Sequence, residues 1–136
     1  IISDKKDILI INDSKSTSFS SSINLLKSYR NIYWILGGTI KLGDKFKLEK
    51  KYFPNIKSYI YGKDKLIFSK ILKSKIKSKY FLNLKKALLA LKSDIRKDNN
   101  KKTIIFSPAA ASFDQFKNFE HRGKYFNLLT KKLNLI

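Results

Sequence analysis

The 136-residue chain has no cysteine and no methionine, and it has a single histidine. The absence of cysteine excludes a disulfide framework and a thiolate metal site. One histidine also argues against a zinc site or a nucleophilic triad. We expect this residue, His121, to be a surface or packing residue, because it falls in a helical segment. Because the chain begins at Ile1 and lacks methionine, we expect it to be a piece of a longer protein.

Long apolar runs are absent as well. None approaches the roughly 18 residues that are needed to cross a membrane, so we expect no membrane segment and, by default, a cytoplasmic setting. Apolar residues nevertheless make up 43% of the chain, which is enough to bury a core. The length suits one domain.

Acidic residues are few, 10 against 30 lysines and arginines, which gives a net charge of +20. Such a charge suggests a nucleic-acid binder. However, only three of the basic residues are arginine, the residue that base reading and bidentate phosphate contacts favour. The lysines are also scattered along the chain, which favours a solvated lysine-rich surface. A basic nucleic-acid-binding α/β module stays as the alternative, which a gel shift at two salt concentrations would test.

Solid apolar runs that end at Gly, Asn or Asp predict buried strands. They lie at residues 8–11, 31–38, 56–62 and 101–107. The third is predicted to alternate until Gly62, and "SKYF" at 78–81 predicts a short further strand. Helical spacing of apolar residues predicts the helices. One helix is predicted at 16–29, capped by Thr17 or Ser18, one at 64–74, capped by Asp64, and one at 83–97. A further helix is predicted in the tail through Phe126, Leu129 and Leu133. A short helix is predicted near 46–52, closed by Pro54.

The predicted strands alternate with helices, and most are continuous apolar runs rather than half-polar ones. This pattern is typical of a mostly parallel sheet that is covered on both faces. We therefore predict one α/β domain, residues 1–136, with three layers and a Rossmann-like arrangement.

Three unusual loops follow predicted strands. They are loop A, residues 12–18 ("NDSKSTS"), loop B, residues 37–45 ("GGTIKLGDK"), and loop C, residues 107–113 ("SPAAASF"). In open parallel sheets, ligands bind outside the carboxyl ends of the strands. We therefore expect all three loops to lie on one edge of the sheet and to form the binding site.

The loops combine anion-binding features. The polar residues of loop A precede a helix N-terminus, which favours an anion, although Asp13 and Ser14 could equally be turn and cap residues. Lys41 adds a point charge and Ser112 a hydroxyl. Loop B is not a phosphate-binding P-loop, because Asp44 follows Gly43 where that motif needs Lys. We therefore do not expect the chain alone to activate a nucleotide.

Three stretches, "INDSKSTS", "GGTIK" and above all "SPAAASFDQFKNFEHRG" (residues 107–123), occur in this order along the chain. In these motifs the chain resembles the C-terminal domain of the Mur ligases, in particular of those that add D-glutamate. It departs from the usual family pattern, which has Ala at Ser16, Asn at Ser18, often Cys at Ala110 and often Asp or Gly at Ile40.

The resemblance implies a three-domain ATP-dependent ligase of peptidoglycan precursor synthesis. Its first domain would bind UDP-N-acetylmuramoyl-L-alanine, and its central domain would hold ATP and Mg²⁺. The third, Rossmann-like domain would carry D-glutamate, and only this domain corresponds to the present chain. The family reaction activates the precursor's carboxylate as an acyl phosphate, which the amino group of D-glutamate attacks. The isolated chain is therefore predicted to be inactive.

The resemblance also implies roles for individual residues. Thr17 and Lys41 would hold the α-carboxylate of D-glutamate. Its side-chain carboxylate would be held by Ser112 and by the backbone near Phe119, with Phe113 beside them. The nucleotide would be faced by Asp13, Ser14 and Lys15. No catalytic residue and no metal ligand is expected in this domain.

Overall fold

The computed structural model describes residues 1–5, 7–112 and 115–135. Six strands lie in these ranges: β1 Ser3–Lys5, β2 Ile8–Asn12, β3 Ile32–Gly37, β4 Ile56–Tyr61, β5 Lys77–Phe81 and β6 Lys102–Phe106. The α-helices of the same ranges are α1 Phe19–Ser28, α2 Lys65–Leu72, α3 Leu84–Arg96 and α4 Phe119–Lys132, and a 3-10 helix spans Lys50–Asn55. None of these helices has both the length and the hydropathy that a membrane crossing requires.

The strands form one sheet in the order β1-β2-β6-β3-β4-β5. All neighbours pair in parallel except β1, which pairs with β2 in the antiparallel sense. Every residue of β3 and β6 is buried, as expected for central strands with helices on both faces. The predicted α/β fold with a mostly parallel sheet is therefore confirmed.

Two hydrophobic cores, one on each face of the sheet, give the domain its three layers. Trp34 of β3 packs in the core that contains residues of α1 and α2, such as Phe19 and Phe68. Its neighbour Tyr33 packs in the other core, which contains residues of α3 and α4, such as Leu88. Because successive side chains of a strand point to opposite faces, one apolar run serves both cores.

The helices begin where the sequence offers capping groups. Ser18 is the N-cap of α1, where its backbone N–H donates to the Ser21 hydroxyl. Asn83 caps α3 by accepting from the Lys86 N–H, and Asn118 caps α4 by accepting from the His121 N–H at 2.8 Å. Asp64 occupies the N-cap position of α2, but its side chain makes no capping hydrogen bond.

Some predictions about elements were wrong. The helix predicted near residues 46–52 is replaced by the 3-10 helix Lys50–Asn55, which contains Pro54. Upstream of it, Phe46 and Leu48 are buried and alternate with exposed residues, a period of two that a helix does not have. Strand β4 is buried almost throughout rather than alternating. Strand β1 was not predicted, because this short polar edge strand lacks an apolar run.

Candidate functional site

Loops A, B and C lie side by side at the carboxyl ends of the sheet strands. Strand β6 runs parallel to β2 on one side and to β3 on the other. The loops that leave these three strands therefore emerge at the same edge, with loop C between loops A and B. This is the placement that the sequence predicted from topology.

Loops B and C pair with each other through their backbones. Thr39 N–H donates to the Ala111 carbonyl at 2.8 Å, and Ala111 N–H donates back to the Thr39 carbonyl at 2.9 Å. Gly37 N–H donates to the Pro108 carbonyl at 3.0 Å. A Cβ atom at Gly38 would lie 2.2 Å from the Ala111 carbonyl oxygen, and the φ of Gly38 is +125°. The close approach of the two loops thus requires glycine at this position.

We expect Gly38→Ala to destabilise the chain by about 3 kcal/mol or more, since it adds a backbone clash to a strained φ. Gly43→Ala is the matched control, because Gly43 in the same loop has a φ of +74° with open space around it. Only the left-handed conformation opposes that change, so we expect it to cost about 1 kcal/mol. Urea unfolding of both variants would measure the difference, and equal losses would contradict the steric argument.

Loops A and C are joined by Arg122 of α4, whose side chain is fully buried. One terminal guanidinium nitrogen donates to the Ala110 carbonyl at 2.8 Å. The other donates to the carbonyls of Ser14 at 2.7 Å and Ser16 at 3.2 Å. Arg122 was not among the predicted site residues, although it is one of only three arginines in the chain and precedes Gly123, which distinguishes it in the sequence.

The first turns of α4 also lie against the end of β2. Asn12 donates to the Gly123 carbonyl at 3.0 Å and to the Asn127 side-chain oxygen at 2.7 Å. A Cβ at Gly123 would lie 2.4 Å from the Ser14 hydroxyl oxygen. Gly123 therefore lets loop A contact the helix directly, and Ser14, predicted to face the nucleotide, lies at this contact.

Loop B is held by two carboxylates, one from within the loop and one from the N-cap position of α2. Asp44 accepts a hydrogen bond of 2.8 Å from the N–H of Phe19, the first residue of α1. Asp64 accepts one of 2.8 Å from the Ile40 N–H. A helix N-terminus favours an anion, and at the Phe19 N–H of α1 that anion is the carboxylate of Asp44 from the same chain. Asp44 and Asp64 fix both halves of loop B.

Asp13, predicted to face the nucleotide, is half-buried and accepts a hydrogen bond of 2.8 Å from the Ser107 hydroxyl of loop C. Burial raises the pKa of the Asp13 carboxyl above its ordinary value, and the Ser107 hydrogen bond opposes that rise. This residue is thus a link between loops A and C as well as a candidate ligand-facing group.

The three side chains predicted to hold D-glutamate lie in three different loops: Thr17 in loop A, Lys41 in loop B and Ser112 in loop C. Among the residues that the structure describes, none of these three side chains makes a hydrogen bond or an ion pair. Thr17 and Lys41 are exposed, whereas Ser112 is only 4% exposed. The site therefore combines loops that are fixed to one another with two exposed polar side chains, Thr17 and Lys41, and one buried hydroxyl, Ser112.

The other predicted site residues are placed as follows. Lys15 is exposed in loop A and has no ion pair within the described ranges. Phe119 is the first residue of α4 and is 36% exposed. Phe113 lies outside the described residues. His121 is exposed, and its ring lies edge-on to Phe116 at 5.3 Å, in agreement with the predicted surface or packing role.

A cavity of about 310 Å³ lies beside Lys41, between loop B and the start of α1. Two larger cavities, of about 500 and 690 Å³, lie at the opposite end of the sheet. In the first of these, Asp98 accepts from Asn31 at 2.9 Å and from Tyr33 at 2.7 Å, which hold the pKa of Asp98 well below its usual range. Its carboxylate thus already has partners within the chain, so the loop edge is the better candidate site.

Neither a P-loop nor a cluster of metal-binding side chains is found among the described residues. They include no group of three or more His, Asp or Glu side chains that could hold a metal ion. Loop B lacks the lysine of a P-loop, and Asp44 at that position is bonded to the α1 backbone.

Comparison with known proteins gives a consistent set of relatives. No family model matches the chain. The chain is similar to proteins named UDP-N-acetylmuramoylalanine–D-glutamate ligase. The relative from Wolbachia sp. subsp. Brugia malayi is 38% identical over 94% of the chain and 26% of its own length. The relative from Rickettsia bellii is 40% identical over 95% of the chain and 29% of its own length. The relative from Buchnera aphidicola subsp. Acyrthosiphon pisum is 38% identical over 98% of the chain and 30% of its own length. The chain thus spans between a quarter and a third of these relatives, and it matches their C-terminal domain.

Proposed function

We propose that this chain is the domain that binds D-glutamate in a UDP-N-acetylmuramoylalanine–D-glutamate ligase. Along nearly its whole length it is a homologue of the C-terminal domain of these ligases. The ligase would add D-glutamate to UDP-N-acetylmuramoyl-L-alanine during peptidoglycan precursor synthesis in the cytoplasm. Other domains would hold the precursor, ATP and Mg²⁺.

One structural observation carries this proposal. Thr17, Lys41 and Ser112 come from three loops that are hydrogen-bonded into one edge, yet their side chains have no partner among the described residues. Other polar residues of the same loops, such as Asp13 and Asp44, are engaged in holding the edge together. A rigid support with a few available polar groups is what a binding site requires.

The chemistry of the available groups matches D-glutamate, which carries two carboxylates. The Lys41 ammonium and the Thr17 hydroxyl would bind the α-carboxylate. Ser112 and backbone N–H groups near Phe119 would bind the side-chain carboxylate. Charge-assisted hydrogen bonds of this kind are the stronger ones, and they gain further strength where water is partly excluded. Two anion-binding groups at separate places also select for the distance between the carboxylates.

The domain's part in the reaction would be to position the amino group of D-glutamate. In the proposed reaction the precursor's carboxylate takes a phosphoryl group from ATP, which leaves ADP and an acyl phosphate. The amino nitrogen attacks the acyl carbon, an amide bond forms and inorganic phosphate leaves. Closure of this domain on the others would bring the amine to the acyl carbon, and positioning of this kind lowers the barrier substantially.

The proposal is tested by following amide formation by mass spectrometry with precursor, ATP, Mg²⁺ and D-glutamate. The full-length protein is expected to form the product with D-glutamate and not with L-glutamate or D-glutamine. This chain alone is expected to form none, because loop B is not a P-loop and other domains would hold the ATP. Product from the isolated chain, or a full-length protein that is indifferent to D-glutamate, would refute the proposal.

A further inference from the structure

Three buried serine hydroxyls connect Asp13 of loop A to the backbone of loop C. Ser107 donates to the Asp13 carboxylate at 2.8 Å, and its oxygen lies 2.5 Å from the hydroxyl of Ser22 in α1. The Ser22 oxygen lies 2.7 Å from that of Ser16, which accepts the Ala109 N–H at 3.0 Å. The serines are at most 2% exposed. We call these residues, in the order Asp13, Ser107, Ser22, Ser16 and Ala109, the hydroxyl chain.

The hydroxyl chain has a fixed direction when Asp13 is ionised. Each serine has one proton to donate, and a carboxylate can only accept. Ser107 therefore gives its proton to Asp13 and must accept from Ser22. Ser22 in turn must accept from Ser16, whose oxygen accepts the Ala109 N–H. Ser16 also lies 3.4 Å from the Ser18 carbonyl and 3.1 Å from the Ser21 hydroxyl, but its contact with Ser22 at 2.7 Å is the shortest of the three. All four hydrogen bonds point towards the carboxylate, an arrangement in which each bond strengthens the next.

The far end of the hydroxyl chain holds a strained residue. Ala109 has a φ of +59°, in the left-handed region that residues other than glycine rarely adopt. Its side chain is fully buried, and it lies three residues before Ser112 in loop C. The hydrogen bond from Ala109 to Ser16 therefore helps to set the conformation of the loop that presents Ser112.

We propose that Ser16, Ser22 and Ser107 are positioning residues through which the carboxylate of Asp13 sets the conformation of loop C. This inference rests on the proposed function, in which Asp13 faces the nucleotide and loop C faces D-glutamate. A ligand donor or cation that competes for the Asp13 oxygens would weaken the Ser107 bond and, through it, the hold on Ala109. The proposed nucleotide-facing group, Asp13, and the proposed D-glutamate-binding loop C are thereby coupled through the interior of the domain.

Two other charged groups lie near Asp13. Lys15 is exposed in the same loop, and Arg122 of α4 donates to the carbonyls of Ser14 and Ser16, on either side of Lys15. The Arg122 contacts involve the backbone, so they hold loop A in place while the Asp13 side chain bonds to Ser107.

The test is a pH titration of this chain by ¹⁵N NMR, with the Ala109 amide as the reporter. In the wild type the Ala109 amide shift is expected to follow the ionisation of Asp13. In Ser22→Ala the amplitude should fall at least about twofold, since the central hydrogen bonds are gone. Asp13→Asn should abolish the transition. Ser28→Ala is the matched control, because Ser28 lies on the same helix but bonds to the Asn24 carbonyl at the surface, and it should titrate like the wild type.

Amide exchange separates coupling from simple loss of stability. In Ser22→Ala and Ser16→Ala, exchange at Ala109 should accelerate about tenfold or more relative to Ile105, a buried residue of β6. Equal acceleration at both residues, or an unchanged Ala109 titration in Ser22→Ala, would overturn the inference. No ligand is used, so these results do not depend on the proposed function.

A double-mutant cycle in the full-length ligase then tests the link to D-glutamate. Asp13→Asn should raise the KM for D-glutamate in the wild-type background and have little further effect once Ser22 is Ala. Additive effects of the two changes would overturn the proposed coupling between Asp13 and loop C. A full-length protein without D-glutamate-adding activity would instead refute the proposed function, while the NMR result would stand.

Discussion

Lys41→Ala in the full-length protein is expected to lower kcat/KM for D-glutamate by about ten- to a hundredfold, mainly through KM. The reason is the loss of one charge-assisted hydrogen bond to a carboxylate, about 1.5–3 kcal/mol. The KM for ATP should stay nearly unchanged, because Lys41 would contact only the amino acid. Lys45→Ala is the matched control, since Lys45 is an exposed lysine of the same loop with no proposed ligand.

Ser112→Ala should cost less than Lys41→Ala, because the Ser112 hydroxyl is neutral and nearby backbone N–H groups remain to bind the carboxylate. Substrate analogues should separate the two residues. D-Glutamine lacks the side-chain carboxylate. The preference for D-glutamate over D-glutamine, measured as the ratio of kcat/KM values, should therefore be smaller in Ser112→Ala than in the wild type. Lys41→Ala should keep the full discrimination. If both variants lose affinity for ATP and keep it for D-glutamate, the loop edge binds a different ligand from the one proposed.

The fold could be predicted from sequence where one local pattern decided the structure. Central strands such as β3 and β6 are continuous apolar runs because both faces of the sheet are covered, and that pattern is visible in any short window. The helix predicted near residues 46–52 was wrong, because Phe46 and Leu48 are buried between exposed residues, a period of two that a helix does not have. The buried aromatic residue is fixed by tertiary packing, with the Phe46 ring 5.9 Å from that of Trp34.

The position of the candidate site was predictable for a different reason. The carboxyl ends of parallel strands meet at one edge, so the order of strands and helices was enough to bring loops A, B and C together. The contacts that fix these loops were not predictable. Asp44 contacts Phe19 across 25 residues of sequence, and Arg122 contacts Ser14 across 108. No local pattern marks such pairs, and the hydroxyl chain depends on three of them.

Arg122→Met is expected to destabilise the chain by about 3–5 kcal/mol, the largest loss of stability that we predict. Methionine retains much of the apolar stem, so the loss reports mainly on the carbonyls of Ser14, Ser16 and Ala110. These accept from the guanidinium in a largely buried site, and each buried polar group left without its partner costs about 1–3 kcal/mol. Chemical denaturation of this chain would measure the effect.

Two further variants show whether the planar guanidinium is what matters. Arg96→Met removes an exposed arginine at the end of α3 and should change stability by less than about 0.5 kcal/mol. Arg122→Lys keeps the charge but loses the fork that reaches two loops at once, so it should recover only part of the loss. Amide exchange in Arg122→Lys should accelerate first in loops A and C, because the fork joins those loops, and only later in β6. Two results would show that other contacts hold the loops together. One is an unfolding free energy of Arg122→Met within about 1 kcal/mol of the wild type, and the other is equally accelerated amide exchange in the sheet and the loops of Arg122→Lys.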